Sequence, residues 1–267
     1  MAYSFETLIR IIRKAGDSVL EKYETDITYD LKDDKSPVTS ADRTSHRILE
    51  LELSRNYPEI PILSEEASNY ALSKRKKWKR FWLIDPLDGT KEFINRNGEF
   101  TINIALMEDN IPIAGVIHIP VIGETYYGAN GKGSFRLKNK KLETISSDKY
   151  ENNRALRILV SRSHLDTVTE ENIEKIKNEY SCELIQTGSS VKFCQIASGK
   201  ADLYIRLGLT SEWDIAAGEA ILKASGGALT QIDGRPMSYN NKNNYLNDYF
   251  IASGDENLLE KILAIIA

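Results

Sequence analysis

Phe5, Leu8, Ile9, Ile12, Ala15, Val19 and Leu20 recur at intervals of three and four residues. That is the period at which side chains share one face of an α-helix. A second helix is predicted over PVTSADRTSHRILELEL, with Thr39 or Ser40 as its N-cap and Ile48, Leu49, Leu51 and Leu53 as its apolar positions. IPILSEE then reads as a short strand ending in two glutamates, and FWLID as another. From Phe100 the period changes to two. FTINIALMEDN, IPIAGVIHIP and ETYYGANGKGSFRL alternate or run apolar between turn signals at Asp109-Asn110 and at Gly131, Gly133 and Ser134. This pattern predicts an antiparallel meander.

KNKKLETISSDKYENNRA is polar and weakly patterned, which places a boundary near residue 150 between an N-terminal α+β unit (1–150) and a C-terminal α/β unit (151–267). Beyond it RILVSR and CELIQTG read as strands with the helix VTEENIEKIKNEY between them. VKFCQIASG, WDIAAGEAILKASGG and ENLLEKILAII read as helices, the middle one stopped by Gly226-Gly227. Strands and helices mixed on both sides of the boundary imply a layered α/β architecture. No internal repeat or low-complexity tract interrupts it.

Composition narrows the class. With 267 residues, 41% apolar and 28% charged, the chain is a folded globular protein that fits one large domain or two subdomains. No apolar run approaches the roughly 20 residues that span a bilayer, so no integral membrane segment is expected. Cys182 and Cys194 are too few for a disulfide framework and read as reduced thiols of a cytoplasmic protein. Of the three histidines, His46, His118 and His164, none lies within a helical turn of another, so any metal is a hard ion held by oxygen. A net charge of −4 argues against a nucleic-acid partner. The basic run Lys74, Arg75, Lys76, Lys77, Lys79, Arg80 reads as a solvated loop or helix end, or as a lure for an anionic substrate.

Acids recur where predicted elements meet loops: Asp42 in VTSAD, Glu65-Glu66 after IPILS, Asp85 and Asp88 in DPLDGT, and Asp214 at the head of WDIAAGEAIL. Singly each has a plain reading. Asp42 completes a capping box, Asp214 faces a helix N-terminus, and the glutamates are solvated. DPLDGT is different, because Pro86 stiffens a turn that holds two carboxylates and the Leu87 carbonyl toward one point. A divalent ion between the carboxylates removes their repulsion. Gly89 and Thr90 then offer backbone N–H groups to an anion. Acids for a metal beside amides for an anion suit transfer of a phosphoryl group to water.

The ordered set PVTSAD, ILSEE, WLIDPLDGTKEF, GSSVKF, WDIAAGEA resembles, over nearly the whole chain, the lithium-sensitive, magnesium-dependent phosphatases related to inositol monophosphatase. Within them, DGTKEFINRNGEFTINIAL and GSSVKFCQIASGKADLYIRLG are most similar to the 3'(2'),5'-bisphosphate nucleotidases. Inositol phosphatases more often carry Thr-Asn-Phe where this chain has Lys91-Glu92-Phe93, whereas Ile215 after Trp213-Asp214 is the inositol-type choice.

The resemblance implies a layered αβαβα sandwich. It implies two or more Mg²⁺ ions per site, held by Glu65, Asp85, Asp88, Asp214 and the Leu87 carbonyl. Asp42, Thr90 and Glu65 are then the catalytic groups. The substrate meets Glu65, Leu87, Asp88, Gly89, Thr90, Ser189, Lys192 and Asp214, with Arg206 and Lys91 as further candidates. The implied reaction converts adenosine 3',5'-bisphosphate to AMP and phosphate, and its sulfated analogue likewise, as part of sulfur metabolism. An inositol monophosphatase or a broad sugar-phosphate phosphatase on the same scaffold is the alternative, and a non-catalytic nucleotide-binding relative a further one. The expected partner is a small phosphorylated nucleotide in the cytoplasm, with attachment at the inner membrane and the choice between monomer and homodimer both left open.

Overall fold

The computed structural model describes residues 3–25, 28–32, 37–67, 70–162 and 167–266. Helix α1 (Phe5–Tyr23) starts from Ser4, whose hydroxyl accepts the Thr7 amide, and it buries Leu8, Ile11, Ile12, Ala15 and Val19 along one face. Helix α2 (Ser40–Asn56) starts from Thr39, as its sequence predicts, and the capping box with Asp42 is closed. Just before α2, β1 (Tyr29–Leu31) pairs antiparallel with β2 (Pro37–Thr39).

The first half continues as a seven-stranded sheet of β3 (Ile62–Ser64), β4 (Arg80–Asp88), β5 (Thr101–Glu108), β6 (Ile111–Ile119), β7 (Glu124–Ala129), β8 (Gly133–Lys138) and β9 (Lys141–Ile145), paired in that order. β3 and β4 are parallel, and every later pair is antiparallel. Two short helices flank β4: α3 (Leu72–Arg75) before it and α4 (Thr90–Ile94) after it.

In the second half β10 (Leu156–Ser161), β11 (Cys182–Thr187), β12 (Leu203–Arg206), β13 (Ala228–Gln231) and β14 (Phe250–Ser253) form a mixed sheet ordered β11-β10-β12-β14-β13. Helix α5 (Thr167–Glu179) connects the parallel pair β10 and β11, and α6 (Val191–Ala197), α7 (Glu212–Ala224) and α8 (Glu256–Ile266) follow.

Three apolar clusters stack these elements into five layers. Trp82, Ile84, Ile104 and Val116 on one face of the first sheet bury against α1 and α2. Phe81, Leu83, Ala105 and Ile117 on the other face meet Phe193 of α6 and Trp213, Ala216 and Ala217 of α7, which also rest on Leu159, Tyr204 and Phe250 of the second sheet. Ile158, Leu203 and Ile251 on that sheet's far side pack on Ile173, Leu258 and Ile262 of α5 and α8. The order is therefore α, β, α, β, α, as the resemblance implies.

The arrangement explains two sequence patterns. β4 is covered on both faces, so FWLI is continuously apolar rather than alternating. α7 lies between two sheets and is buried almost all round, which requires small residues. A methyl on Gly218 would sit 2.3 Å from the Phe193 ring, so only glycine lets α6 and α7 approach this closely. Each fully buried large side chain in these layers contributes roughly 1.5–3 kcal/mol.

β1, β12, β13 and β14 carry no distinct pattern of their own; at three or four residues they are too short for period two to register. The basic run is exposed at Lys74, Lys76, Lys77, Lys79 and Arg80, but Arg75 is fully buried, against the solvated reading of the whole run. Both cysteines are free thiols, and His164 lies outside the described residues. Among the described residues no helix is long and apolar enough to cross a membrane.

Candidate active site

Asp85 and Asp88 end β4, where its pairing with β5 slips: Asp85 faces Asn103, yet Asp88 already faces Thr101. Pro86 and Leu87 form the bulge, a position that tolerates a residue without an amide proton. The bulge is held from both sides. The Leu87 amide donates to Asp85 Oδ1 at 3.0 Å, and the Ser45 hydroxyl of α2 donates to the Pro86 carbonyl at 2.7 Å. Gly89 then turns the chain at a φ of 89°, in the left-handed region that favours glycine, and α4 begins at Thr90.

Glu65 reaches this bulge because β3 runs parallel to β4, with Ser64 opposite Ile84. Asp214 arrives from the other half at the start of α7, where its Oδ2 accepts the Ser211 amide at 2.8 Å in a capping box. The four carboxylates feel one another. Burial drives Asp85 well above the ordinary carboxylate range, and the charges of Glu65, Asp88 and Asp214 push it further. Burial, Asp88 and Glu65 do the same to Asp214. Lys32 supplies a counter-charge at one edge, donating to Glu65 at 2.7 Å and to Glu66 at 2.6 Å.

Asp88 is held from the second half. Its Oδ2 accepts the Ser190 amide at 2.6 Å and the Thr101 hydroxyl at 3.4 Å. Burial raises its pKa, and the Lys192 ammonium and the Ser190 amide pull it back. Lys192 itself is a buried cation. It is 4% exposed, donates to the Thr187 carbonyl at 3.0 Å and lies 5.1 Å from the centre of the Tyr204 ring. Burial lowers its pKa to about 8. Ser189, at a φ of 44°, places its Cβ 3.1 Å from where a side chain on Gly89 would begin, so the 188–190 loop lies directly on DPLDGT. Lys91 is exposed, and Arg206 is buried with its guanidinium donating to the Leu209 carbonyl.

Asp42 and Thr90 meet beside this cluster. Asp42 Oδ2 is occupied by the Thr39 amide at 2.7 Å and the Thr39 hydroxyl at 2.6 Å, while Oδ1 accepts the Thr90 hydroxyl at 3.2 Å. The same hydroxyl also lies 3.3 Å from the Leu87 carbonyl. Burial lifts the Asp42 carboxyl to about 6, against the pull of the Thr39 hydrogen bonds.

The donor set fits magnesium. It is all oxygen, and its carboxylates, with Asp85 buried and Glu65, Asp88 and Asp214 half-buried, repel one another until a cation joins them. Among the described residues no three acidic, histidine or cysteine side chains stand together as a ready-made metal site. An open arrangement suits an ion that keeps several waters and takes oxygens from a phosphate.

Sequence reasoning passed over Lys32 and Glu99. Glu99 accepts the Gly188 amide at 2.7 Å and two bonds from Arg162 at 2.7 and 2.8 Å, which ties down the loop over DPLDGT. Nothing in INRNGEF marks Glu99 for this duty, because its partners lie 63 and 89 residues away.

Comparison with known proteins agrees with this geometry. The family model described as the inositol monophosphatase family matches residues 2–267, and the chain belongs to that family. Its relatives include the 3'(2'),5'-bisphosphate nucleotidase CysQ of Salmonella typhimurium, 40% identical over 92% of this chain and 97% of that protein. CysQ of Escherichia coli K12 is 38% identical over 93% and 98%. The crystal structure of CysQ from Bacteroides thetaiotaomicron superimposes with a TM-score of 0.83 at 38% identity, covering 93% of this chain and 96% of that one. The Thermotoga maritima IMPase gives 0.81 at 25% identity, covering 98% and 95%.

Proposed function

We propose that the protein is a 3'(2'),5'-bisphosphate nucleotidase that hydrolyses the 3'-phosphate of adenosine 3',5'-bisphosphate to give AMP and phosphate, and acts likewise on the sulfated analogue. The contact between Thr90 and Asp42, set beside four mutually repelling carboxylates, carries the chemical part of this reading. The substrate part is supported by 40% identity to a CysQ nucleotidase and by Lys91-Glu92-Phe93 after the Gly-Thr.

Residues 1–150 contribute Asp42, Glu65, Asp85, Leu87, Asp88 and Thr90, and residues 151–267 complete the site with Ser189, Lys192 and Asp214. Glu65, Asp85, Asp88, Asp214 and the Leu87 carbonyl would hold two or more magnesium ions, which would supply positive charge for the phosphate oxygens and a more acidic water. The protein's own groups do the rest. Thr90 uses its hydroxyl to orient the attacking water, and its amide with that of Gly89 to hold a phosphate oxygen. Asp42, with one oxygen saturated by Thr39, has the other free to accept the proton that passes through Thr90. A base of pKa about 6 is matched to this task near neutral pH. Lys192, lying under the site, offsets the charge of Asp88, and Ser189 faces the substrate's sugar or second phosphate. A cytoplasmic setting suits the two free thiols.

Phosphate release from adenosine 3',5'-bisphosphate and from inositol 1-phosphate, side by side with magnesium and then with lithium added, tests the assignment. Preference for the nucleotide, suppressed by lithium, is the expected result. Preference for the inositol ester would move the protein to the sister branch, and silence on both would refute catalysis.

A further inference from the structure

The basic run hides one residue that behaves unlike its neighbours. Arg75 ends α3, five residues before β4, and its side chain has no solvent exposure. It enters the segment 240–247 of the other half. Nη1 donates to Asn240 Oδ1 at 2.8 Å, Nη2 donates to the carbonyls of Lys242 and Asn243, and the guanidinium lies 4.5 Å from the centre of the Tyr245 ring. Asn240 answers by donating its side-chain amide to the Arg75 carbonyl at 2.9 Å, and it holds a φ of 55°. A planar fork matched to three acceptors and one aromatic face is an arrangement that lysine does not reproduce.

The segment that Arg75 fills is bound in turn to the start of α7. The Asn240 amide donates to Glu212 Oε1 at 2.8 Å, and the Glu212 amide donates to the Tyr245 carbonyl at 2.8 Å. The Tyr245 ring packs on Trp213 with centroids 5.1 Å apart. Asn247 donates its side-chain amide to Thr210 Oγ1 at 3.0 Å and to the Ser211 carbonyl at 2.6 Å. Ser211 is the residue whose amide holds Asp214. An unbroken set of contacts therefore runs from Arg75 to the Asp214 carboxylate, while the strand that follows Arg75 ends in Asp85 and Asp88.

We infer that Arg75 is a positioning residue for the reaction: through the segment 240–247 it holds Glu212 and Trp213, and with them the Asp214 carboxylate, in register with the acids at the end of β4. The inference rests on Asp214 being a metal ligand, as proposed above. Arg75 touches neither substrate nor metal. It ties the stretch leading into one set of ligands to the helix that presents the last one.

The test is Mn²⁺ binding to the full chain, followed by electron paramagnetic resonance, with Mg²⁺ activation measured in parallel. Arg75→Lys, which keeps the charge and loses the fork, is expected to weaken Mn²⁺ binding about tenfold or more, the range for partners behind a metal ligand. The Mg²⁺ concentration for half-maximal rate rises with it, while the rate at saturating Mg²⁺ largely recovers. Asp202→Asn, just before β12 and outside the site, serves as the control for lost stability, lowering the melting temperature without moving Mn²⁺ affinity. Wild-type affinity in Arg75→Lys overturns the inference, and a wild-type chain that binds no Mn²⁺ overturns the metal reading beneath it. Hydrogen exchange on the unmodified chain decides the matter if the variant does not fold. Mn²⁺ is expected to slow exchange in 210–214 and 240–247 together, and protection confined to 210–214 would refute the coupling.

Discussion

The backbone amide of Ser190 donates to the carboxylate of Asp88 at 2.6 Å across 102 residues of chain. One half of the protein thereby sets the position of an acid that belongs to the other. The contact exists because Gly188 lies close against Glu92 and the Glu99 carbonyl, leaving the 188–190 loop flat on DPLDGT.

Gly188→Ala tests that packing. Its new methyl would start 2.6 Å from Glu92 Cγ and 2.9 Å from the Glu99 carbonyl oxygen, so the loop must lift. A shift of about 1 Å at a site of this kind costs on the order of 10²-fold in kcat/KM. Steady-state kinetics with far-UV circular dichroism should show that loss in a folded protein, and full activity would show that the Ser190 contact is dispensable.

Asp42→Asn keeps the shape of the carboxyl and removes its basicity. A fall of about 10²–10⁴ in kcat is expected, as for loss of a general base. In the parent protein the base works when deprotonated, so kcat should rise as pH increases through about 6 and then level off. The variant should lack that rise, and a rise retained in Asp42→Asn would assign it to another group.

Asp85→Asn relieves repulsion that burial makes severe. In chelator the variant should melt no lower than the parent, because a neutral side chain now stands among Glu65, Asp88 and Asp214. Magnesium at about 100 times its dissociation constant should stabilise the parent by roughly 2.7 kcal/mol, and the variant far less. Differential scanning calorimetry with and without magnesium reads both effects, and activity should collapse with the metal response. An equal magnesium shift in both proteins would remove Asp85 from the ligand set.

Asp202 is a structural acid with a calculable pH signature. Its carboxylate is 1% exposed and takes paired bonds from Arg154 at 2.6 and 2.7 Å and from Arg157 at 3.0 and 2.7 Å. Burial alone would raise its pKa, but the two guanidinium groups bring it down to about 2. A depressed acid stabilises the folded state fully above its unfolded value near 3.8, and that contribution is lost as pH falls through about 2. The shift is worth roughly 2–3 kcal/mol at neutral pH. Urea unfolding of Asp202→Asn should show a loss of that order at pH 7 and little difference near pH 2. A constant difference at both values would deny the linkage.

Much of the scaffold is local information. α1 is legible because seven apolar residues keep helical spacing, and α2 because Thr39 and Asp42 make a cap that needs no distant partner. The sequence reads Pro86 as stiffening a turn after FWLID, whereas β4 continues to Asp88 through a bulge that its pairing with β5 creates. The αβαβα order came with the motif resemblance, since periodicity alone does not say which sheet a helix such as α7 will touch. Short strands such as β12 and β14 exist because neighbours supply their hydrogen bonds, and four residues carry too little pattern to reveal them.

The sequence by itself determined which donor types are available: carboxylates at Glu65, Asp85, Asp88 and Asp214, a threonine after a glycine, and an aspartate at a helix cap. Residue type and short spacing give these, and the motif resemblance is what groups the four acids as one proposed ligand set. Only the tertiary structure decided that Lys192 is buried beneath Asp88, that Lys32 joins Glu65 to Glu66, and that Arg75 turns inward while Lys74 and Lys76 face solvent. In each case the deciding partner lies 30 to more than 160 residues away, where charge and burial depend on how layers stack rather than on any neighbouring letter.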